Sequence, residues 1–149
     1  MIDPDVRPAV ASDVEQLAWL EREARTTLVD QRGGMRWLAT HPERGPEWGA
    51  TVSDLDVVVA HIGEVLVGYI VLDARRDIAT VEDVYVTPQA RELGFGDALL
   101  AASIERAHER GATHLEGQAL PGDRDTKNLY ERASIKARLI TVSTPLAAR

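Results

Sequence analysis

The sequence predicts an α/β fold in which helices cover one mixed β-sheet, and three observations predict it. Residues 56–61 and 65–72 are rich in Val, Ile and Leu and flank Ile62-Gly63-Glu64, the pattern of a β-hairpin. Residues 78–86 make a third consecutive strand after the polar turn Arg75-Arg76-Asp77, and Pro88 stops it. Residues 96–110 then carry a helical period before a further strand at 114–119. A strand, a helix and a strand in succession make a parallel crossover, so an antiparallel meander and a parallel pair share one sheet.

Each remaining element has its own signal. Residues 6–10 read as a short first strand. Ser12 and Glu15 have capping-box spacing, and Val14, Leu17, Ala18 and Leu20 begin an apolar helix face that runs to about Arg25. A second helical stretch, 27–40, bends at Gly33-Gly34 and ends at His41-Pro42. Residues 42–53 hold two Pro and two Gly and read as loop. Within 96–110, Leu99, Leu100, Ser103, Ile104 and Ala107 lie near one face, and Gly111 ends the helix. Residues 126–133 make a short helix with Asp123-Arg124-Asp125 at its start, where acids cap the helix and offset its dipole. Residues 136–143 read as a last strand, which completes the order β-α-α-β-β-β-α-β-α-β.

The 149 residues suit a single domain, 1–149. Seventeen Lys and Arg against 24 Asp and Glu leave a net charge of −7. Such a surface repels phosphate backbones and anionic lipid, so nucleic acid and membrane are not expected partners. The absence of cysteine removes disulfides, thiolate metal sites and a cysteine nucleophile. His41, His61, His108 and His114 have no compact ligand spacing, so no metal is expected. The chain shows no signal-peptide pattern and no apolar run approaching the roughly 20 residues a bilayer requires, so the expected location is the cytoplasm.

The chemistry is placed by Arg91-Glu92-Leu93-Gly94-Phe95-Gly96, between a strand and a helix. The first turn of a helix presents unpaired amide N–H groups, and the helix dipole adds about half a positive charge there. Together they make an anion site, and Gly94 and Gly96 let the backbone approach a ligand closely. A pyrophosphate is the natural occupant; a plain tight turn is the other reading of the same hexapeptide. Rossmann and Walker loops fit poorly, since there is neither a third glycine at the right spacing nor Gly-Lys-Ser/Thr.

Val81-Glu82-Asp83-Val84-Tyr85-Val86-Thr87-Pro88, followed by Arg91-x-x-Gly94-x-Gly96, resembles the acetyl-CoA-binding motif of the GNAT superfamily of N-acyltransferases. Asn128-Leu129-Tyr130-Glu131 resembles the family's last-helix motif, and the order of elements agrees from Val6 to Val142. The resemblance implies a mostly antiparallel mixed sheet of six to seven strands, splayed between the fourth and fifth, with about four helices. It implies acetyl-CoA as cosubstrate, held by Arg91, Leu93, Gly94, Phe95, Gly96 and Asp97, by Val84, Tyr85 and Val86 along the pantetheine arm, and by Asn128. It further implies acetyl transfer to a primary amine by direct attack in a ternary complex, with Tyr130 as general acid. The acceptor, a small amine or a protein amine, stays open, and a homodimer is compatible with the family. Glu92 and Leu93 depart from the motif, and Glu92 is expected to face solvent because a carboxylate beside a pyrophosphate is unfavourable. Ser134-Ile135 stands in place of the usual glycine and aromatic, and Asp123 in place of a frequent Asn.

Strand alternation puts Glu82 with Val84 and Val86 on one face and Asp83 with Tyr85 on the other. One of Glu82 and Asp83 is therefore expected to face the substrate groove as the base, with Asp83 preferred and Glu116 on the neighbouring strand next; solvated strand acids and a water chain are the plainer alternatives. A non-catalytic CoA-binding regulatory or interaction module is the alternative function. Trp19 fits the core face of the first helix, while Trp37 and Trp48 are expected to pack in the core or an interface.

Overall fold

The computed structural model describes residues 4–147. Three strands form the centre of the sheet: β2 (Asp56–Ile62), β3 (Val65–Asp73) and β4 (Ile78–Val86). They pair antiparallel, as short connections allow. β1 (Asp5–Pro8) adds antiparallel to β2, and β5 (His114–Gly117) adds parallel to β4, giving the order β1-β2-β3-β4-β5. Helices α1 (Val14–Leu28), α2 (Gly34–Thr40) and α3 (Trp48–Asp54) precede β2. α4 (Phe95–Glu109) is the crossover from β4 to β5, and α5 (Arg124–Arg132) follows β5.

The alternation along β2 sorts the core into two halves. Val58 and Ala60 point with Ile70 and Leu72 to the α4 side, where Phe95, Leu99 and Leu100 cover them. Val57 and Val59 point with Tyr69 and Val71 to the other side, against Leu17, Leu20 and Trp48 of α1 and α3. The central strand β3 is therefore buried from Leu66 to Leu72, which is why it reads as an almost unbroken apolar run. At its start Gly68 allows close approach: a Cβ there would lie 2.7 Å from the Tyr85 carbonyl oxygen.

The mixed sheet agrees with the sequence reading, but several elements differ from it. The sheet has five strands rather than six or seven, and there are five α-helices rather than about four. Residues 136–143, read as a strand, have no regular structure and are exposed. Residues 42–53, read as loop, contain a short 3-10 turn, Gly45–Glu47, and α3. Burial of Trp48 against Tyr69 (ring centroids 5.3 Å apart, edge to face) overrides the glycine and proline there. The Ser12–Glu15 capping box is not used. A 3-10 turn, Ala11–Asp13, leads into α1, and Asp13 accepts the Val10 N–H at 2.8 Å. Trp19 is 63% exposed rather than packed in the core, its ring 5.7 Å from the Arg22 guanidinium. Asp123 does cap α5, accepting the Thr126 N–H at 3.1 Å.

Candidate active site

The loop between β4 and α4 is shaped by two residues with left-handed backbone, Glu92 (φ 65°) and Gly94 (φ 88°). Phe95, buried in the α4-side core, fixes the loop from beneath. Among the described residues no protein group accepts the N–H of any residue from 92 to 97; the first that is used is Ala98, which donates to the Gly94 carbonyl at 3.0 Å. Residues 91–94 form a turn, and no N–H from 92 to 97 makes a close hydrogen bond within the described residues, so these amides are available at the positive end of a 15-residue helix. A diphosphate fits this donor set, because it offers acceptors and needs positive potential. The neighbouring side chains frame the amides without covering them. Glu92 and Leu93 are exposed, and Asp97 turns away to Arg132 at 2.9 Å. Arg91 braces the loop: its Nε donates to the Val86 carbonyl (3.1 Å), its guanidinium pairs with Asp125 of α5 (2.9 Å) and it lies over the Tyr85 ring. Asn128 is exposed on α5.

Beside this loop the sheet opens. β4 and β5 pair only from Ile78 with His114 to Val81 with Gly117. Past that point β4 runs on to Val86 with β3 on one side and, among the described residues, no sheet neighbour on the other. Thr87 donates its N–H to the Val67 carbonyl at 2.8 Å. By antiparallel alternation Tyr85 also turns its backbone groups to β3, and Val84 and Val86 turn theirs to the open side. Tyr130 stands where the strands part. A Cβ on Gly117 would overlap its hydroxyl, so the glycine is what lets the ring lie against β5. The Tyr130 hydroxyl has no hydrogen-bond partner among the described residues. Burial, with the nearby charges of Asp83 and Asp123, pushes its pKa up to about 12.

The pairing of β3 with β4 places the candidate bases. Val71 faces Asp83 and Leu72 faces Val81, so Glu82 is an extra residue in β4, a bulge. This corrects the simple alternation. Val84 and Val86 pack against the α4-side core and Tyr85 against the α1 side, but Glu82 is lifted off the Val84–Val86 face and reaches Arg44 at 3.3 Å. Asp83 accepts from the Tyr69 hydroxyl (2.7 Å) and from Arg44 (3.2 Å). Burial raises the Asp83 pKa, and these two contacts hold the rise back. On β5, Leu115 packs to the α4 side, so Glu116 faces the α1 side, where it is exposed and without a partner among the described residues. Asp83 is thus close enough for its charge to act on the Tyr130 hydroxyl, Glu116 lies in the paired stretch of β5 opposite Thr80, and Glu82 and Asp83 are both tied to Arg44.

Three residues of this arrangement escaped the sequence reading: Tyr69, Arg44 and Glu21. Glu21 is 1% exposed and accepts from the Arg44 and Gly45 backbone N–H groups, from the Arg44 guanidinium (3.0 Å) and from Trp48 Nε1 (3.1 Å). Arg44 lies over the Trp48 ring and joins Glu21 to Asp83. One signal was available: Glu21 interrupts the apolar stripe Leu17, Leu20, Ala24, and an acid on a buried helix face requires a partner.

The model of the acetyltransferase (GNAT) family matches residues 13–134, most of the chain. The chain belongs to the GNAT acetyltransferase family. Among solved structures this GNAT domain is similar to a mutant of the BH1408 protein from Bacillus halodurans, with TM-score 0.79 and 20% identity over 99% of this chain and 100% of that one. It is also similar to the PaiA N-acetyltransferase of Thermoplasma acidophilum in complex with coenzyme A, with TM-score 0.75 and 14% identity over 89% of each chain. The ribosomal-protein-alanine N-acetyltransferase of Brucella melitensis has TM-score 0.68 and 19% identity over 98% of this chain and 100% of its own. At these identities the likeness is one of fold. No curated protein sequence matches. Among the described residues no helix is long and apolar enough to cross a membrane, and no group of His, Asp and Glu is gathered as metal ligands.

Proposed function

We propose that this GNAT domain moves an acetyl group from acetyl-CoA to a primary amine. The observation that carries the reading is the run of six acceptor-free amides at 92–97 beside the opening between β4 and β5. Acetyl-CoA supplies the activated thioester. The amides at 92–97 take its diphosphate, and the open-side backbone groups of Val84 and Val86 pair with its pantetheine arm. The N–H of Val84 or Val86 is available to the oxyanion that develops on the carbonyl. With no cysteine to carry the acetyl group, the amine nitrogen attacks the thioester carbon directly. A C–N bond forms and the C–S bond breaks. The leaving sulfur takes the Tyr130 hydroxyl proton, and the amine gives its extra proton to Asp83, with Glu116 as the alternative acceptor. The high pKa of Tyr130 keeps it protonated and ready to donate at neutral pH.

A non-catalytic CoA-binding module is favoured by one observation, that Asp83 and Glu82 are both engaged with Arg44. Calorimetric titration with CoA, followed by a DTNB assay of thiol release against pooled amines, separates the readings. The transferase binds CoA and releases thiol with at least one pool. Binding without release on any pool supports the module, and no binding of CoA at millimolar concentration removes both.

A further inference from the structure

We propose that Arg44 and Tyr69 are positioning residues for Asp83: they fix its carboxylate by one oxygen and leave the other free to take a proton from the acceptor amine, a role that rests on the reading of Asp83 as the base. Two donors from different elements converge on Asp83 Oδ2, the Tyr69 hydroxyl of β3 at 2.7 Å and Arg44 Nη1, from the segment after α2, at 3.2 Å. A carboxylate oxygen has two lone pairs, so Oδ2 is fully used. Oδ1 accepts no hydrogen bond from the described residues, yet it is not sealed in the core, and the side chain as a whole is 19% exposed. The terminal torsion of an aspartate is soft, so a carboxylate that nothing holds turns readily. Held from two directions at Oδ2, Asp83 cannot swing Oδ1 away without breaking both contacts.

The clamp is itself held from beneath. Glu21 takes the Arg44 guanidinium on Oε2 at 3.0 Å, and its two oxygens take the Arg44 backbone N–H at 3.0 and 3.1 Å. Its Oε1 also accepts from the Gly45 N–H and from Trp48 Nε1, and the Arg44 guanidinium lies over the Trp48 ring. The planar fork of an arginine suits this place: Nη1 bridges Glu21 and Asp83 while Nη2 reaches Glu82 at 3.3 Å. Tyr69 is 0% exposed, and burial beside Asp83 holds its pKa well above the ordinary tyrosine value, so it stays a donor. The charged and titratable groups around Asp83 are thus Arg44, Tyr69, Glu21 on α1, Glu82 beside it on β4 and Tyr130 on α5, whose hydroxyl feels its charge. Burial and the Glu21 charge raise the Asp83 pKa, and Tyr69 and Arg44 oppose them. A cluster that served only to pin the segment around Arg44 would have no use for the Tyr69 hydroxyl, which bonds to neither Glu21 nor Arg44. The engagement of Asp83 with Arg44 is therefore compatible with a base, because it occupies one oxygen and favours the ionised form of the group.

Side-chain carboxyl NMR of the free protein, with the Asp83 signal assigned from Asp83→Asn, reads the clamp without any acceptor. Arg44→Met and Tyr69→Phe should each raise the Asp83 pKa, Arg44→Met by about 1–3 pH units, the usual effect of losing a neighbouring cation. Arg44→Lys, which keeps the charge and loses the fork, should fall between the parent and Arg44→Met. In the thiol-release assay the acidic limb of kcat/KM should move to higher pH with the NMR value, because the base works only when ionised. A mere anchor for the segment would change the melting temperature and KM and leave the Asp83 titration where it is. Should Arg44→Met fail to fold, Tyr69→Phe, which removes a single oxygen, carries the test alone. An Asp83 that titrates as in the parent in the folded variants overturns the proposal. So does a titration that moves while the acidic limb stays fixed, since the free oxygen then serves no proton transfer. Wild-type protein that releases no thiol with any amine pool sinks the transfer reading and the proposal with it, and an Asp83 titration that still moves tells that failure from a failure of the clamp.

Discussion

Tyr130 combines three properties that a proton donor needs: it is buried, its pKa is raised to about 12, and its hydroxyl is uncommitted among the described residues. Because the hydroxyl makes no structural hydrogen bond, Tyr130→Phe should leave thermal unfolding unchanged. Turnover should fall by ~10²–10⁴-fold, the usual worth of general acid catalysis. Steady-state kinetics on any accepted amine checks this, and unchanged turnover would remove Tyr130 from the chemistry. Asp13 illustrates the opposite use of a buried polar group. Its carboxylate takes two hydrogen bonds from Arg7 (2.7 and 2.9 Å) and one from the Val10 N–H. The Arg7 hydrogen bonds, helped by that of Val10, hold its pKa below the ordinary aspartate value despite burial. A depressed carboxyl contributes stability above its unfolded pKa and loses it as the pH falls through the folded value. Asp13→Asn should therefore cost about 1–3 kcal/mol at pH 7. The gap to the parent, read from urea midpoints, should begin to narrow below about pH 4, the ordinary aspartate range, and close as the pH falls through the lower folded value. A gap that stays constant to pH 3 contradicts the ion-pair account.

The elements show which features were legible in the sequence and which were not. β2, β3, β4 and α4 were read correctly because each carries its own period and clear stops, so local pattern and tertiary burial agree. α3 was hidden because its stabilising contact is distant: Trp48 packs on Tyr69, 21 residues further along, and a window holding Pro46 and Gly49 reads as loop. The bulge at Glu82 was invisible because register belongs to a pair of strands, not to one. Simple alternation placed Asp83 with Tyr85 as the structure does, but it grouped Glu82 with Val84 and Val86 and could not foresee that Glu82 and Asp83 both reach Arg44. The hub of Glu21 and Arg44 was missed for the same reason, since the partners lie 23 residues apart. The loop proposed to bind phosphate, by contrast, is a local device, and its two glycines separate cleanly. Gly94 has φ 88°, and an added Cβ would come within 3.1 Å of Pro4. Gly96 is inside α4, and a Cβ there meets Leu129 at an ordinary 3.5 Å. Gly94→Ala should thus cost about 1–3 kcal/mol in left-handed strain and weaken CoA binding, whereas Gly96→Ala should be neutral or stabilising by about 0.5–1 kcal/mol. Parallel thermal melts and calorimetry on the two variants test the pair, and equal losses in both would mean that the loop conformation differs from the one described.

For the whole molecule, the question is how an acidic protein of net charge −7 would hold the polyanion proposed for it. Its two arginines nearest the loop are already paired, Arg91 with Asp125 and Arg132 with Asp97. In the proposed complex the attraction rests on oriented amides and the end of α4, which act at hydrogen-bond range, while the net charge acts at long range and opposes binding. Salt weakens the long-range repulsion but leaves short, desolvated hydrogen bonds largely intact, since only charges beyond about 3 Å are screened at 1 M. CoA at a hundredfold excess over its dissociation constant should raise stability by about 2.7 kcal/mol. For a chain of this length that corresponds to a rise in Tm of ~5–10 °C. The rise should persist when ionic strength is increased from tens of millimolar to molar, after subtraction of the salt effect on the free protein. A site built on exposed basic side chains would lose most of the shift over that range, so its collapse in high salt would reassign the grip from the backbone of residues 92–97 to arginine.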